Sequence, residues 1–255
     1  MHIDIDGLRI NYICEGEGEN VLILHGWGAN IDTVIPIYNH IKDRYKVWAL
    51  DLPGFGQSDR PLTVWGSEEY ADFIKKFVDK LNIKDIILMG HSHGGRVSIM
   101  LANKYPDILS KMVLIDSAGI IPKRKPKYYL KVYTFKIMKG IYNLLFFWKE
   151  KDKRLEKFYK RYGSQDYRAA DGIMRKIMVK VINENLRPYL KNINVPTLLV
   201  WGRDDDATPL YMGKIMENEI EGSGLVVLDN AGHYSYIDQM YTFNRVIDSF
   251  LDSSS

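Results

Sequence analysis

Ser92 stands in Gly90-His91-Ser92-His93-Gly94, between an apolar run that ends at Met89 and the helix-like stretch GGRVSIMLANKY. A serine so placed can act as a nucleophile if a sharp strand-to-helix turn lifts its hydroxyl clear of a sheet. Such a turn calls for flanking glycines, because a Cβ there would strike the adjoining strand or helix. The start of the helix also aims free amides at the space beside the hydroxyl. The competing reading is a capping serine in an ordinary glycine-rich turn.

A nucleophilic serine needs a base, and the chain has six histidines. His233 is the strongest candidate: it lies in LDNAGHYSYI, after a strand-like run and before the last helix. His25 also follows an apolar run. His91 and His93 flank the serine and read as anchored in the turn with their side chains directed elsewhere, while His2 and His40 have plain surroundings. The base in turn needs a carboxylate to fix its tautomer and stabilise the imidazolium. VWGRDDDATP offers Asp204, Asp205 and Asp206, which also read as a solvated acidic turn ahead of Pro209, and VLIDS offers Asp116. The chain order serine, aspartate, histidine is the one found in hydrolases built on a parallel sheet. LHGWGAN supplies glycines that let the backbone fold close to the serine, so the amides of Trp27 and His93 are the expected donors to a developing oxyanion.

These residues must be positioned by a scaffold, and the hydrophobic pattern describes one. HIDID and LRINYI alternate around Asp6-Gly7, as in a hairpin. NVLILHG, YKVWALDLPG, KDIILMG, KMVLIDS, VPTLLVWG and GLVVLD are continuous apolar runs, as in strands buried on both faces. Helices are expected over 31–42, with an irregular start because of Pro36, over 67–83 with Ser67 as cap, after Gly94, and from about Met240 to Leu251. The alternation of strands and helices predicts an α/β fold with a mostly parallel twisted sheet covered by helices on both faces. From Gly119 to Leu190 strand-like runs cease and helical stripes replace them, with Leu130, Ile137, Ile141, Leu144 and Trp148 to one side of a helix. The division expected is a core of residues 1–118 and 191–255 with an inserted helical cap at 119–190, over the carboxyl ends of the strands.

The net charge of +3 conceals an asymmetry: residues 119–190 carry 19 Lys and Arg against 6 Asp and Glu. The bland reading is a solvated cap face that complements an acidic core. The segment could otherwise line an acyl pocket with its apolar stripe, rest weakly on an anionic membrane surface, or attract an acidic substrate. No nucleic-acid module is visible. One cysteine, Cys14, excludes an internal disulfide framework, and the sequence shows neither a Cys/His metal cluster nor a secretory leader. GIYNLLFFW is shorter than the ~20 residues that span a bilayer. The expectation is a cytoplasmic monomer or homodimer without metal or organic cofactor.

HGWG, DLPGFGQSD, GHSHGG, WGRDDDATP and NAGHYSYI, in that order across nearly the whole chain, resemble the α/β-hydrolase superfamily, in its capped serine esterase and lipase branch. The resemblance implies an α/β-hydrolase fold and Asp205 as the acid, four residues ahead of Pro209. Serine rather than aspartate at the nucleophile position speaks against dehalogenase and epoxide hydrolase chemistry. DLPGFGQSD reads as a structural turn at the floor of the site. His93 departs from the more common Met or Gln and puts a titratable ring near the site. The activity implied is carboxylesterase action on hydrophobic short- to medium-chain acyl esters, small-molecule substrates, through Ser92, Asp205 and His233. Two alternatives accompany it: hydrolysis of a carbon–carbon bond in a ring-cleavage diketone, which needs a cation such as Arg124 or Arg168 for the substrate carboxylate, and a small-molecule receptor with a slow residual triad.

Overall fold

The computed structural model describes residues 1–123, 126–145, 170 and 172–253. It divides into two compact units: residues 1–61, 65–120 and 184–255 form the first, and residues 62–64 with 121–183 form the second.

The first unit is built on an eight-stranded sheet of order β1-β2-β4-β3-β5-β6-β7-β8. β1 (His2–Ile5) and β2 (Leu8–Glu15) form the expected hairpin, with Asp6 and Gly7 both at positive φ in its turn. β2 runs antiparallel to β4 (Lys46–Leu50). The other neighbours are parallel: β3 (Asn20–Leu24), β5 (Ile86–His91), β6 (Leu109–Ile115), β7 (Thr197–Gly202) and β8 (Gly224–Leu228). Two-sided burial explains the continuous apolar runs of β3 to β7, whereas β8, at the sheet edge, is only partly buried despite its apolar run. Val21, Ile23, Val47, Ala49, Ile87, Met89, Val113 and Val200 share one core with α1 (Ile31–Ile41) and the last helix. The residues between them, such as Leu22, Leu24, Leu88 and Leu114, are also buried, and by the period of two they face the opposite side.

After β3 the chain steps one way, to β4, and after β5 it steps the other way, to β6. That reversal opens a crevice at the carboxyl ends of β3 and β5, the place where open parallel sheets bind ligands. The HGWG stretch and Ser92 both lie there. α2 (Ser67–Lys80) buries Tyr70, Phe73, Ile74, Phe77 and Val78. Its cap differs from the expectation. Gly66 is the N-cap, the Glu69 carboxylate accepts its N–H, and Ser67 is the first helical residue. The Ser67 hydroxyl instead donates to Glu184 at 2.6 Å, so a distant carboxylate has claimed it. α3 (His93–Lys104) follows Ser92 directly. α6 (Tyr211–Glu219) and the short helix α7 (Ser235–Asp238) lie where sequence periodicity gave no helix, and α8 (Met240–Leu251) falls where expected.

The second unit contains α4 (Pro126–Leu145) and α5 (Gly172–Val181). The chain leaves the first unit near Ile120 and re-enters at Glu184, and the Leu186 N–H donates to the Gly119 carbonyl at 2.8 Å. Trp148, Arg124 and Arg168 lie outside the described residues. Among the described residues no helix is long and apolar enough to cross a membrane.

DLPGFGQSD is a hydrogen-bonded knot around the buried Asp51. Its carboxylate accepts the N–H groups of Ile31 and Gln57 and the Asn11 side-chain amide, each at 2.8 Å. Those bonds join the start of α1, the turn itself and β2. Asp51→Ala leaves three donors without an acceptor, and an unsatisfied buried donor costs about 1–3 kcal/mol. We therefore expect the variant to unfold in urea with a stability lower by about 3 kcal/mol.

Candidate active site

Ser92 is held at φ 52° and ψ −109°, a backbone region that side-chain-bearing residues seldom enter. Its N–H donates to the Ile115 carbonyl at 3.0 Å, and its own carbonyl accepts from Ala118 at 3.0 Å and Arg96 at 3.2 Å. The turn is thereby fastened to the neighbouring strand β6 and to α3. The glycines are needed for proximity. A Cβ on Gly90 would sit 2.6 Å from the Gly94 carbonyl oxygen, and one on Gly94 would overlap the Leu24 carbonyl.

The Ser92 hydroxyl lies 2.9 Å from His233 Nε2, and His233 Nδ1 lies 2.8 Å from Asp205 Oδ2. Of the three consecutive aspartates only Asp205 is buried. Its Oδ1 accepts the N–H groups of Ala207 and Thr208 at 2.8 and 2.9 Å, and Thr208 Oγ1 lies 2.7 Å from Oδ2. The turn DATP thus wraps the carboxylate and spares one oxygen lobe for the imidazole. Asp116 is also buried, but it holds the framework: it accepts from Gly202 N–H at 2.8 Å and from the Ser235 hydroxyl at 2.6 Å. Burial pushes its pKa up to about 7 against those hydrogen bonds.

Electrostatically the histidines fall into two kinds. Burial works to lower the His233 pKa, but the hydrogen bond and charge of Asp205 outweigh it, and the net direction is upward. Burial likewise opposes ionisation of Asp205, and the bonds from His233 and Thr208 overcome it, so its pKa is lowered. The pair is therefore arranged to carry an imidazolium beside a carboxylate. His25, His91 and His93 are driven the other way by burial, to about 4, about 3 and about 3. At His25 burial wins although Nδ1 donates to the Gly26 carbonyl at 2.7 Å, a bond that favours the charged ring; Nε2, which accepts from Leu52 N–H at 2.9 Å, is occupied as an acceptor. The ring beside Ser92 that the sequence offered as titratable, His93, is packed edge-on against Trp27 and Tyr70 and stays uncharged near neutral pH.

His91 has a larger part than its flanking position suggested. Its Nε2–H donates to the His233 backbone carbonyl at 2.7 Å, and the two rings are 5.0 Å apart. Its other edge packs against the HGWG stretch, where a Cβ on Gly26 would lie 3.0 Å from His91 Nδ1. One ring therefore touches the loop of the base and the loop before Trp27 while being covalently next to the serine. Thr208 and His91 are the residues sequence reasoning passed over. The run DDDATP held a signal for Thr208, since a threonine three residues past an aspartate can close a side-chain turn on it.

His93 is the first residue of α3, so its amide has no acceptor within the helix. The Ala29 N–H donates to the Gly26 carbonyl, which curls the chain around Trp27. Among the described residues no group of three or more His, Cys, Asp or Glu is arranged to hold a metal ion.

A family model described as the alpha/beta hydrolase fold matches residues 19–239. The uncharacterized hydrolase YugF of Bacillus subtilis is 29% identical over 251 residues, covering 90% of this chain and 89% of that protein. A 2-hydroxy-6-oxononadienedioate/2-hydroxy-6-oxononatrienedioate hydrolase of Comamonas testosteroni is 27% identical over 97% of this chain and 92% of its own length. Among solved structures, an esterase from Exiguobacterium antarcticum superposes with a TM-score of 0.76 at 25% identity, over 98% of this chain and 97% of that one.

Two outcomes are expected from the rate at which a fluorophosphonate labels Ser92. A base must be neutral to accept the serine proton, and the His233 pKa is raised, so labelling should fall on acidification with a midpoint above the ordinary histidine value of 6.5. His91→Phe, which keeps a ring but loses the Nε2–H, should label about tenfold or more slowly, whereas His91→Gln, which restores a donor, should recover most of the rate.

Proposed function

Because the chain belongs to the α/β-hydrolase family, we propose that it is a serine carboxylesterase for hydrophobic short- to medium-chain acyl esters. The observation that carries this reading is the relay itself: Ser92 Oγ 2.9 Å from His233 Nε2, and His233 Nδ1 2.8 Å from a buried Asp205. His233 accepts the Ser92 proton as Oγ attacks the ester carbonyl, and Asp205 stabilises the imidazolium that results. The amides of Trp27 and His93 receive the tetrahedral oxyanion, each donor contributing ~3 kcal/mol. His233 then protonates the departing alcohol. A water molecule, deprotonated by the same ring, releases the acid from the acyl-enzyme. Every proton moves through one imidazole, whose two nitrogens are committed to Ser92 and Asp205.

A second reading, hydrolysis of a carbon–carbon bond in a ring-cleavage diketone, draws support from the Comamonas relative, a 2-hydroxy-6-oxononadienedioate/2-hydroxy-6-oxononatrienedioate hydrolase by name, which matches nearly all of this chain. It requires a cation for the substrate carboxylate, and the two arginines expected for that, Arg124 and Arg168, lie outside the described residues.

Turnover of p-nitrophenyl esters from acetate to palmitate separates the readings. The native protein should show an optimum at short to medium chain length, and Ser92→Ala should lower kcat by at least about 10⁴-fold. Absent turnover, or turnover unchanged in Ser92→Ala, would overturn the esterase reading; cleavage of a ring-fission diketone in the same preparation would then establish the second. A single slow stoichiometric cleavage would mark a receptor with a residual triad.

A further inference from the structure

Helix α4 exposes an unusual amount of apolar surface. Leu130, Tyr133, Ile137, Ile141, Leu144 and Leu145 are each between 51% and 75% exposed. Their spacing of three and four residues places them along one side of the helix, a ridge of about 22 Å at 1.5 Å per residue. Contiguous apolar surface of this extent on a water-facing helix marks a place where something docks. The sequence left open whether the stripe lined a pocket or met a surface.

Charge selects the occupant. Residues 119–190 carry 19 Lys and Arg against 6 Asp and Glu, and four of those lysines, Lys127, Lys131, Lys136 and Lys139, fall within α4 itself. Lys136 is exposed, with its Nζ 5.9 Å over the Tyr133 ring, so cation and aromatic stand at one edge of the stripe. Two copies of such a segment would repel each other, whereas an anionic surface would attract it. The helix is 20 residues long, yet it is not apolar enough to cross a membrane, which leaves the in-plane orientation of an amphipathic helix.

We propose that α4 docks on an anionic lipid bilayer, with its apolar stripe in the interface and Lys136 at its edge among the headgroups. The long lysine stems can lie along the apolar boundary while their ammonium groups reach the lipid charge. The inference goes beyond the hydrolase reading and does not depend on it, since it is read by binding.

The experiment is cosedimentation of the full chain with vesicles of phosphatidylcholine alone and of phosphatidylcholine mixed with phosphatidylglycerol. Binding to the mixed vesicles only is expected, weakened about tenfold or more between roughly 0.05 and 0.5 M NaCl. The double variant Ile137→Ser with Ile141→Ser should lower partitioning about tenfold or more. Because both side chains are exposed, its melting temperature and its turnover of a soluble ester should match the native protein. No binding to anionic vesicles would overturn the proposal, as would binding that the double variant leaves unchanged. A native dimer abolished by the double variant, with vesicles ignored, would reassign the stripe to self-association and equally overturn it.

Discussion

Ser92 occupies a backbone region, at φ 52°, that costs on the order of 1–3 kcal/mol and persists only where neighbours enforce it. Much of the surrounding architecture can be understood as that enforcement. β6 accepts the serine N–H through Ile115, the chain beyond β6 returns an N–H to the serine carbonyl through Ala118, and α3 adds the Arg96 amide. Gly94 brings α3 against the Leu24 carbonyl of β3, an approach that any side chain would block. The strain at Ser92 is thus borne by β3, β5, β6 and α3 together, which are the strands and helix at the point where the sheet reverses its order.

The same economy governs charge. Four histidines lie in or beside the site, and three are kept neutral by burial. Only His233 is biased toward protonation, by the carboxylate of Asp205. A second imidazolium near the first would compete for that carboxylate and oppose proton transfer from the serine. Burial of His25, His91 and His93 lets them serve as hydrogen-bonding and packing groups without adding charge. Asp116 shows the complementary division: a second carboxylate close to the relay is spent on Gly202 and Ser235, which leaves Asp205 as the partner of the imidazole.

The parallel sheet was legible because two-sided burial leaves an unbroken apolar signature, and β3 through β7 carry it. Ser92, Asp205 and His233 were legible as residue types at strand ends, but residues alone left Asp204, Asp205, Asp206 and Asp116 open. What separates Asp205 from its neighbours is burial and the wrap of Ala207 and Thr208, neither of which is a property of local composition. Ser67 looked like a cap by type, yet Glu184, more than a hundred residues away, takes its hydroxyl. His91 was set aside because a bond to a backbone carbonyl leaves no mark on the partner's residue type. α7 was invisible because four residues are too few to show a helical period.

The hydrogen bond between Leu186 and Gly119 has a consequence for how such a chain can diversify. The long excursion between them departs and returns through one pinned doorway after β6, and Ser92, Asp205 and His233 all lie outside it. The entropy of closing a loop grows only logarithmically with its length, so lengthening or shortening the segment between those two residues places little load on the sheet. The excursion can therefore change as a module, in surface and in charge, while Ser92, Asp205 and His233 keep their places in the first unit.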